Sequence, residues 1–350
     1  MSTAGVRQTR RWWLWAFLIL LSVAGWYLCS RENRPTPTTK VASAPPTKTR
    51  QQIVINEAVR TLLYLPLYHA KEAGYFDQAG IDVQIVTAGT ATNSFAALVN
   101  GEAQFSQADP MYVPIAREKG GKAKVVAQVV GRIAIYGLAA KGVAPVWSAA
   151  AVRGKKISTQ QRPMTAYVYT IKAIRELRLD PDKDVTIIES QPGSETSPLF
   201  NGQAAYAFTV EPNASRAVQQ GAAIVVSFPQ VMGDTILTGL MTTEDYLTSH
   251  RPTVEAVVMA YQRALNDIHV APEHVALSAS KYFSQVDRAV LSAAIARLAR
   301  DQVFPTSVLV SEESWNRAMK QRLSAGDLKY EAPRKSNCDI ELMTRASAAK

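Results

Sequence analysis

Cysteine is almost absent. Cys29 and Cys338 are the two in 350 residues, too few for a disulfide framework or a zinc site. The four histidines are scattered without metal-ligand spacing. Charged residues make up 19% of the chain against 47% apolar, the balance of an ordinary soluble protein outside the N-terminus. The formal charge of +10 is uneven, because residues 1–50 hold eight Arg/Lys and one Glu, or +7. The remaining residues carry +3, so the basic balance does not describe the folded part and gives nucleic-acid binding little support. Nothing in the composition calls for a cofactor or a resident metal. At this length two domains and a sizeable core are available.

One long uncharged run stands near the start. Arg7, Arg10 and Arg11 precede Trp12–Cys29, eighteen residues without a charge. That is a positive flank and an apolar stretch at the lower limit for crossing a bilayer. The positive-inside rule puts the first residues in the cytoplasm and the rest outside. Residues 1–30 read either as a signal peptide cut after Ala24 or as an uncleaved anchor with Trp12, Trp13, Trp15, Trp26 and Tyr27 at the interfaces. A lipoprotein signal on Cys29 is disfavoured by the bulky Trp26-Tyr27-Leu28 before it. Residues 31–51 are rich in Pro, Thr, Ser and Lys and read as a semi-extended linker.

From Gln52 the pattern changes. Gln52–Ala58 alternates as a first strand, and Arg60–Leu65 is the turn into a helix whose first turn accepts Pro66. Gly74 suits the end of that helix. Asp82–Thr87 is a β-branched strand, Gly89-Thr90-Ala91-Thr92-Asn93-Ser94 a polar turn, Phe95–Val99 a helix, and Ala103–Gln107 the next strand. Strand, polar turn and helix in repetition predict a parallel sheet with ligand-facing turns at the strand carboxyl ends. Lys124–Val130 is a strand, and Ile133–Ala140 is expected to extend the same sheet.

Particular phrases carry a resemblance. A proline-opened helix, then Ala70-Lys71-Glu72-Ala73-Gly74-Tyr75-Phe76, Gly80-Ile81-Asp82-Val83 and Ala97-Leu98-Val99-Asn100-Gly101-Glu102-Ala103-Gln104-Phe105 resemble the solute-binding proteins of ABC importers. The likeness is to the branch for nitrate, sulfonates, taurine and thiamine-precursor pyrimidines, and it covers the chain after about residue 50. It implies an α/β, two-lobed periplasmic-binding-protein fold of type II with two chain crossovers, a hinge and a ligand cleft. Val152–Ile157 is similar to the phrase that begins the family's second domain. Lobe one is then expected at 52–141 and 237–350 and lobe two at 142–236, with crossings near Ala140–Pro145 and Gly233–Leu237.

The resemblance implies a receptor that captures a small polar molecule outside the cytoplasmic membrane and delivers it to an ABC permease and its ATPase. Attachment to the membrane would be through the N-terminal segment. A membrane-tethered sensing module is the alternative. An enzyme like the relatives that make the thiamine pyrimidine is a further one, disfavoured by the scarcity of cysteine. Candidate ligand residues are Tyr64 and Leu65 before the first helix, and Gly89, Thr90, Thr92 and Asn93 in the polar turn. Asp109 follows strand three. Gln161, Arg162 and Thr165 open the helix of lobe two, and Glu211 precedes Pro212. For the polar turn, a helix N-terminus favours an anion, while Asn93 or Ser94 acting as a plain helix cap is the bland alternative. Arg162 is either an anion clamp or a solvated surface arginine, and Glu211 either a ligand carboxylate or a helix cap. Asp109 and Glu211 together would favour a zwitterion or a ring bearing N–H donors over a bare anion.

Overall fold

A computed structural model describes residues 50–162 and 164–348. The expected leader or anchor, its Cys29 and nearly all of the linker lie outside the described residues. Among the described residues no helix is long and apolar enough to cross a membrane.

The described residues hold ten strands in two sheets: β1 Gln51–Glu57, β2 Ile81–Thr87, β3 Phe105–Ala108, β4 Ala123–Val130, β5 Tyr136–Ala139, β6 Lys156–Gln160, β7 Thr186–Ser190, β8 Tyr206–Thr209, β9 Ala223–Ser227 and β10 Thr238–Thr243. The helices of seven or more residues are α1 Leu65–Glu72, α2 Ala91–Val99, α3 Tyr112–Glu118, α4 Thr165–Glu176, α5 Asn213–Gln219, α6 Arg251–Val270, α7 Pro272–Tyr282, α8 Arg288–Arg300, α9 Glu312–Ala325 and α10 Ile340–Ala348. Local chemistry sets their ends. Pro66 lies in the first turn of α1, and Gly74, with φ +72°, sits just past its end. Helix α2 begins four residues earlier than the sequence pattern predicts. Thr90 is extended, at φ −143°, and its hydroxyl accepts from the Asn93 N–H at 3.1 Å. Thr90 is therefore the cap, and Ser94 instead turns inward to donate to the Asn56 carbonyl at 2.7 Å.

The first sheet has the order β2-β1-β3-β10-β4 and the second β7-β6-β8-β5-β9. Strands β1, β2 and β3 run parallel, as do β6, β7 and β8. β10 lies antiparallel between β3 and β4, and β5 antiparallel between β8 and β9. This corrects one expectation. The strand at 136–139 does not extend the first sheet but pairs with β8 and β9, so the first crossing is residues 131–135, not Ala140–Pro145. The apolar alternation of Ile133–Ala140 fits a strand in either sheet, and only long-range pairing decides which.

That crossing explains the cleft. β4 ends at Val130, on the edge where β1, β2 and β3 end. β5 begins at Tyr136, opposite Thr209 at the end of β8. Five residues reach at most about 18 Å, so the two carboxyl edges are held facing each other. The return passes from the end of β9 to Thr238, paired with Val130, and so joins the same two edges. Arg132 ties the crossings together. Its Nε donates to Asp234 at 2.7 Å, and its two Nη atoms donate to the Asp301 carbonyl at 3.1 Å and to Gln302 at 2.7 Å.

Each sheet has its own core. Ile53, Ile55, Phe105, Val125, Val126, Val129 and Val130 pack with Val257, Tyr261 and Leu265 of α6 and with Trp315 of α9. Ile157, Ile174, Tyr206, Phe208 and Phe228 form the second core. Burying each such side chain contributes about 1.5–3 kcal/mol. Helix α8 packs on α7 of the first lobe and on α5 of the second.

Candidate functional site

In an open parallel sheet the ligand crevice lies where successive connections leave in opposite directions. In lobe one that point falls between β1 and β3, and in lobe two between β6 and β8. Each carries a buried carboxylate that the sequence pattern did not single out.

In lobe one this is Glu57, the last residue of β1 and fully buried. It accepts from Arg60 Nε at 2.6 Å, from the Thr87 hydroxyl at 2.6 Å and from the Tyr68 phenol at 2.5 Å. Arg60 also donates through Nη2 to Thr87 at 3.1 Å. Its guanidinium carbon lies 5.3 Å from the ring centres of both Tyr68 and Tyr282, which stack on each other at 4.3 Å. Burial and the charge of Glu57 push the Tyr68 phenol well above its usual pKa.

In lobe two the carboxylate is Glu195, also fully buried. It accepts from the Thr209 hydroxyl at 2.5 Å, the Gly193 N–H at 2.6 Å, the Asn213 amide at 3.3 Å and the Gln160 amide at 3.5 Å. These four donors are neutral, and they fix the ends of β6, β8 and α5 to one another.

The expected residues fall around these two points with different fates. Gly89, at φ +85°, and Thr90 form the turn into α2, beside Thr87. Thr92 and Asn93 are exposed in the first turn of α2. The Thr92 hydroxyl bonds the Tyr112 phenol at 2.8 Å, and the Asn93 amide donates to the Ala88 carbonyl at 3.3 Å. Asp109 follows β3 and is ion-paired with Arg322 of α9, while also accepting from the Met111 N–H at 3.0 Å. Arg322 also donates to Asp327 at 3.2 Å. Burial raises the Asp109 carboxyl above the usual carboxylate range, although Arg322 pulls it down. Tyr169 of α4 feels the charges of Arg322 and Asp109 from the other lobe, and burial lifts its phenol.

Tyr64 and Leu65 are core residues. Leu65 is fully buried, and Tyr64 is 5% exposed beneath the edge. Their apolar bulk at the start of α1 belongs to the packing of the helix. In lobe two, Gln161 accepts from the Gln191 amide at 2.9 Å. Arg162 is exposed and lies 2.6 Å from Glu189, whose other oxygen accepts the Arg162 N–H at 2.9 Å. Thr165 is exposed at the start of α4. Glu211 is engaged internally. It accepts from Arg297 of α8 at 2.8 Å and from both the N–H and the hydroxyl of Ser215 at 2.9 Å.

Asp109 and Glu211, expected to offer negative charge to a ligand, each have an arginine partner. What the edges present instead is partly exposed guanidinium, hydroxyl and amide groups. Glu57 and Arg60 are three residues apart at a strand end, a local signal that could have found them. Arg322 is 213 residues from Asp109, and nothing local links them. His69 is packed, its ring nitrogens bonded to Ser278 and Asp267 at 2.9 Å each. Two cavities, of about 540 and 480 Å³, lie at the opposite edge of the first sheet, by Lys124 and Cys338 and by Gln104 and Tyr246.

Comparison with known proteins fits this architecture. YtlA of Bacillus subtilis (strain 168), provisionally named a binding protein, is 21% identical over 317 residues, 89% of this chain and 94% of its own. The structure of a sulfonate ABC transporter's periplasmic sulfonate-binding protein, SsuA from Methylobacillus flagellatus KT, itself a provisional assignment, superposes with a TM-score of 0.61. That match has 14% identity and covers 85% of this chain and 94% of that one. The desulfurization enzyme DSZB superposes with a TM-score of 0.62 at 13% identity, over 85% of this chain and 99% of its own. Binding proteins and an enzyme thus share the two-lobed fold, and the site must decide between them. The sequence profile of the NMT1/THI5-like family matches residues 63–275, from just before α1 to the first turn of α7, and the chain belongs to that family.

Proposed function

We propose that this protein is the substrate-binding component of an ABC importer. It would hold an organic molecule with an anionic head, of the sulfonate kind, outside the cytoplasmic membrane and deliver it to the permease and its ATPase. Attachment to the membrane would be through residues 1–30. The observation that carries the reading is the pair of facing carboxyl edges joined by two short crossings, a geometry built to close on a ligand.

The polarity of the edges supports the head-group class. The first turn of α2 presents N–H groups at the positive end of the helix dipole, flanked by Gly89, Thr90, Thr92 and Asn93. Asp109 and Glu211 are neutralised by Arg322 and Arg297, which removes the groups that would have favoured a cationic end. The sulfonate-binding SsuA shares the fold, which is consistent with this class. A non-enzymatic receptor needs two lobes and a polar cleft, and no reaction step is required of any residue described above.

The test is native mass spectrometry of the purified full-length chain, followed by titration calorimetry with alkanesulfonates, carboxylates, amino acids and aminopyrimidines. Saturable binding of an anion recovered unchanged in mass supports the reading. Exclusive binding of neutral or cationic compounds would overturn the head-group class. A ligand converted to product would place the chain with the enzymes of its fold.

A further inference from the structure

Three arginines line the two carboxyl edges, and they differ in what their neighbours leave available. Arg162 is mostly exposed, ion-paired with Glu189 and set 5.2 Å over the Tyr167 ring. Arg322 donates through Nη2 to Asp109 and through Nη1 to Asp327, so both ends of its fork are engaged. Arg60 is bound through Nε to Glu57 and through Nη2 to Thr87, and its Nη1 has no hydrogen-bond partner among the described residues. It is also firmly positioned. A fully buried carboxylate holds one edge, and the stacked Tyr68–Tyr282 pair lies under the guanidinium. Its side chain is still 38% exposed, at the crevice between β1 and β3.

We propose that Arg60 grips the anionic head of the ligand and that Glu57, by positioning Arg60 and opposing further negative charge, restricts that head to a single charge. This rests on the reading of the site as a receptor for organic anions. The physical reason is the sum of the pair. Arg60 brings one positive charge and Glu57, accepting three hydrogen bonds and donating none, one negative charge directly behind it. A monoanion gains a charge-assisted hydrogen bond from the unpartnered Nη1 of Arg60 and the field of the α2 N-terminus without facing a net negative site. A dianion of the same shape carries a second charge that Glu57 repels through a poorly screened, partly buried path. The class selected is therefore sulfonates, sulfate monoesters and carboxylates, over phosphate monoesters. Glu57 does not touch the ligand and is a positioning residue. Arg60 is the contact.

Butyl sulfate and butyl phosphate make the comparison at pH 8, since they share a shape. The phosphate monoester loses its second proton near pH 6, so at pH 8 it bears one charge more than the sulfate. Calorimetry on the full-length chain in detergent is expected to show butyl sulfate binding at least tenfold more tightly than butyl phosphate. Arg60→Ala should weaken butyl sulfate at least tenfold while the circular dichroism melt stays cooperative. Glu57→Gln should narrow the sulfate-to-phosphate ratio, a shift that mere loosening of the site would not produce, because it would weaken both probes together. Equal affinity of the wild type for the two probes overturns the charge selection, and this measurement stands even if Glu57→Gln fails to fold. Unchanged butyl sulfate affinity in Arg60→Ala overturns the contact. If the wild type binds neither these probes nor any alkanesulfonate or carboxylate, the organic-anion reading itself fails, an outcome distinct from the other two.

Discussion

Glu211 shows what a carboxylate becomes once an arginine reaches it. Its oxygens accept from Arg297 and twice from Ser215, so it joins lobe two to α8 instead of waiting for a ligand. Removing one partner of a buried pair leaves the other charge uncompensated, at a cost of about 3–5 kcal/mol. Glu211→Ala is therefore expected to lower the stability measured in urea by about 3 kcal/mol, and a loss below about 1 kcal/mol would mean that Arg297 finds water. Cys338 gives a second prediction at this scale. It is 3% exposed, and burial pushes its thiol up to about 12. Thiolate is the reactive form, so native Cys338 should resist iodoacetamide at pH 8 and label only in denaturant, as read by peptide mass mapping. Labelling of native Cys338 at the rate of a free thiol would contradict its placement beside Val125.

Among the elements, α1 and α7 are held together by Glu72, which is ion-paired with Lys281 and accepts from the Tyr282 phenol at 2.9 Å. Burial works against its ionisation, but the bonds from Lys281 and Tyr282 outweigh it and hold the carboxyl below the usual range. The folded chain therefore releases this proton more readily than the unfolded chain. The stabilisation is full above the unfolded value, about 4.3, and is lost as pH falls through the lower folded one. The stability advantage of wild type over Glu72→Gln should be constant near pH 6 and shrink towards pH 3. Urea titrations at both values check it, and an advantage that grows in acid would reverse the sign of the shift. Elements of this kind were legible where periodicity speaks: α1 from Pro66 to Gly74, and the strand from Asp82 to Thr87. What was not legible was pairing. The alternation of Ile133–Ala140 identifies a strand but not its sheet, and Asp109 identifies a strand-end carboxylate but not the arginine 213 residues away that neutralises it. Both are settled by contacts between segments that are distant in sequence, which local patterns do not encode.

At the scale of the whole molecule, the described fold begins at the composition change near Gln51. The first strand starts there, and Gln51 is itself bonded to Thr253 at 2.7 Å. A fragment of residues 51–350 is expected to fold and remain in solution. Circular dichroism checks it, with a disordered spectrum from that fragment as the contrary result. The placement of β10 also has a consequence for how the molecule is made. β10 fills the gap between β3 and β4, yet it is synthesised after all of lobe two. Until residues 238–243 leave the ribosome, the first sheet is two separate pieces with open edges, whereas strands β5–β9 form a contiguous stretch that can close as soon as it is complete. Assembly is thus ordered from the middle of the chain outward. That order keeps the leading half loosely organised while the rest of the chain is being made. It locks the first lobe only when its last strand arrives.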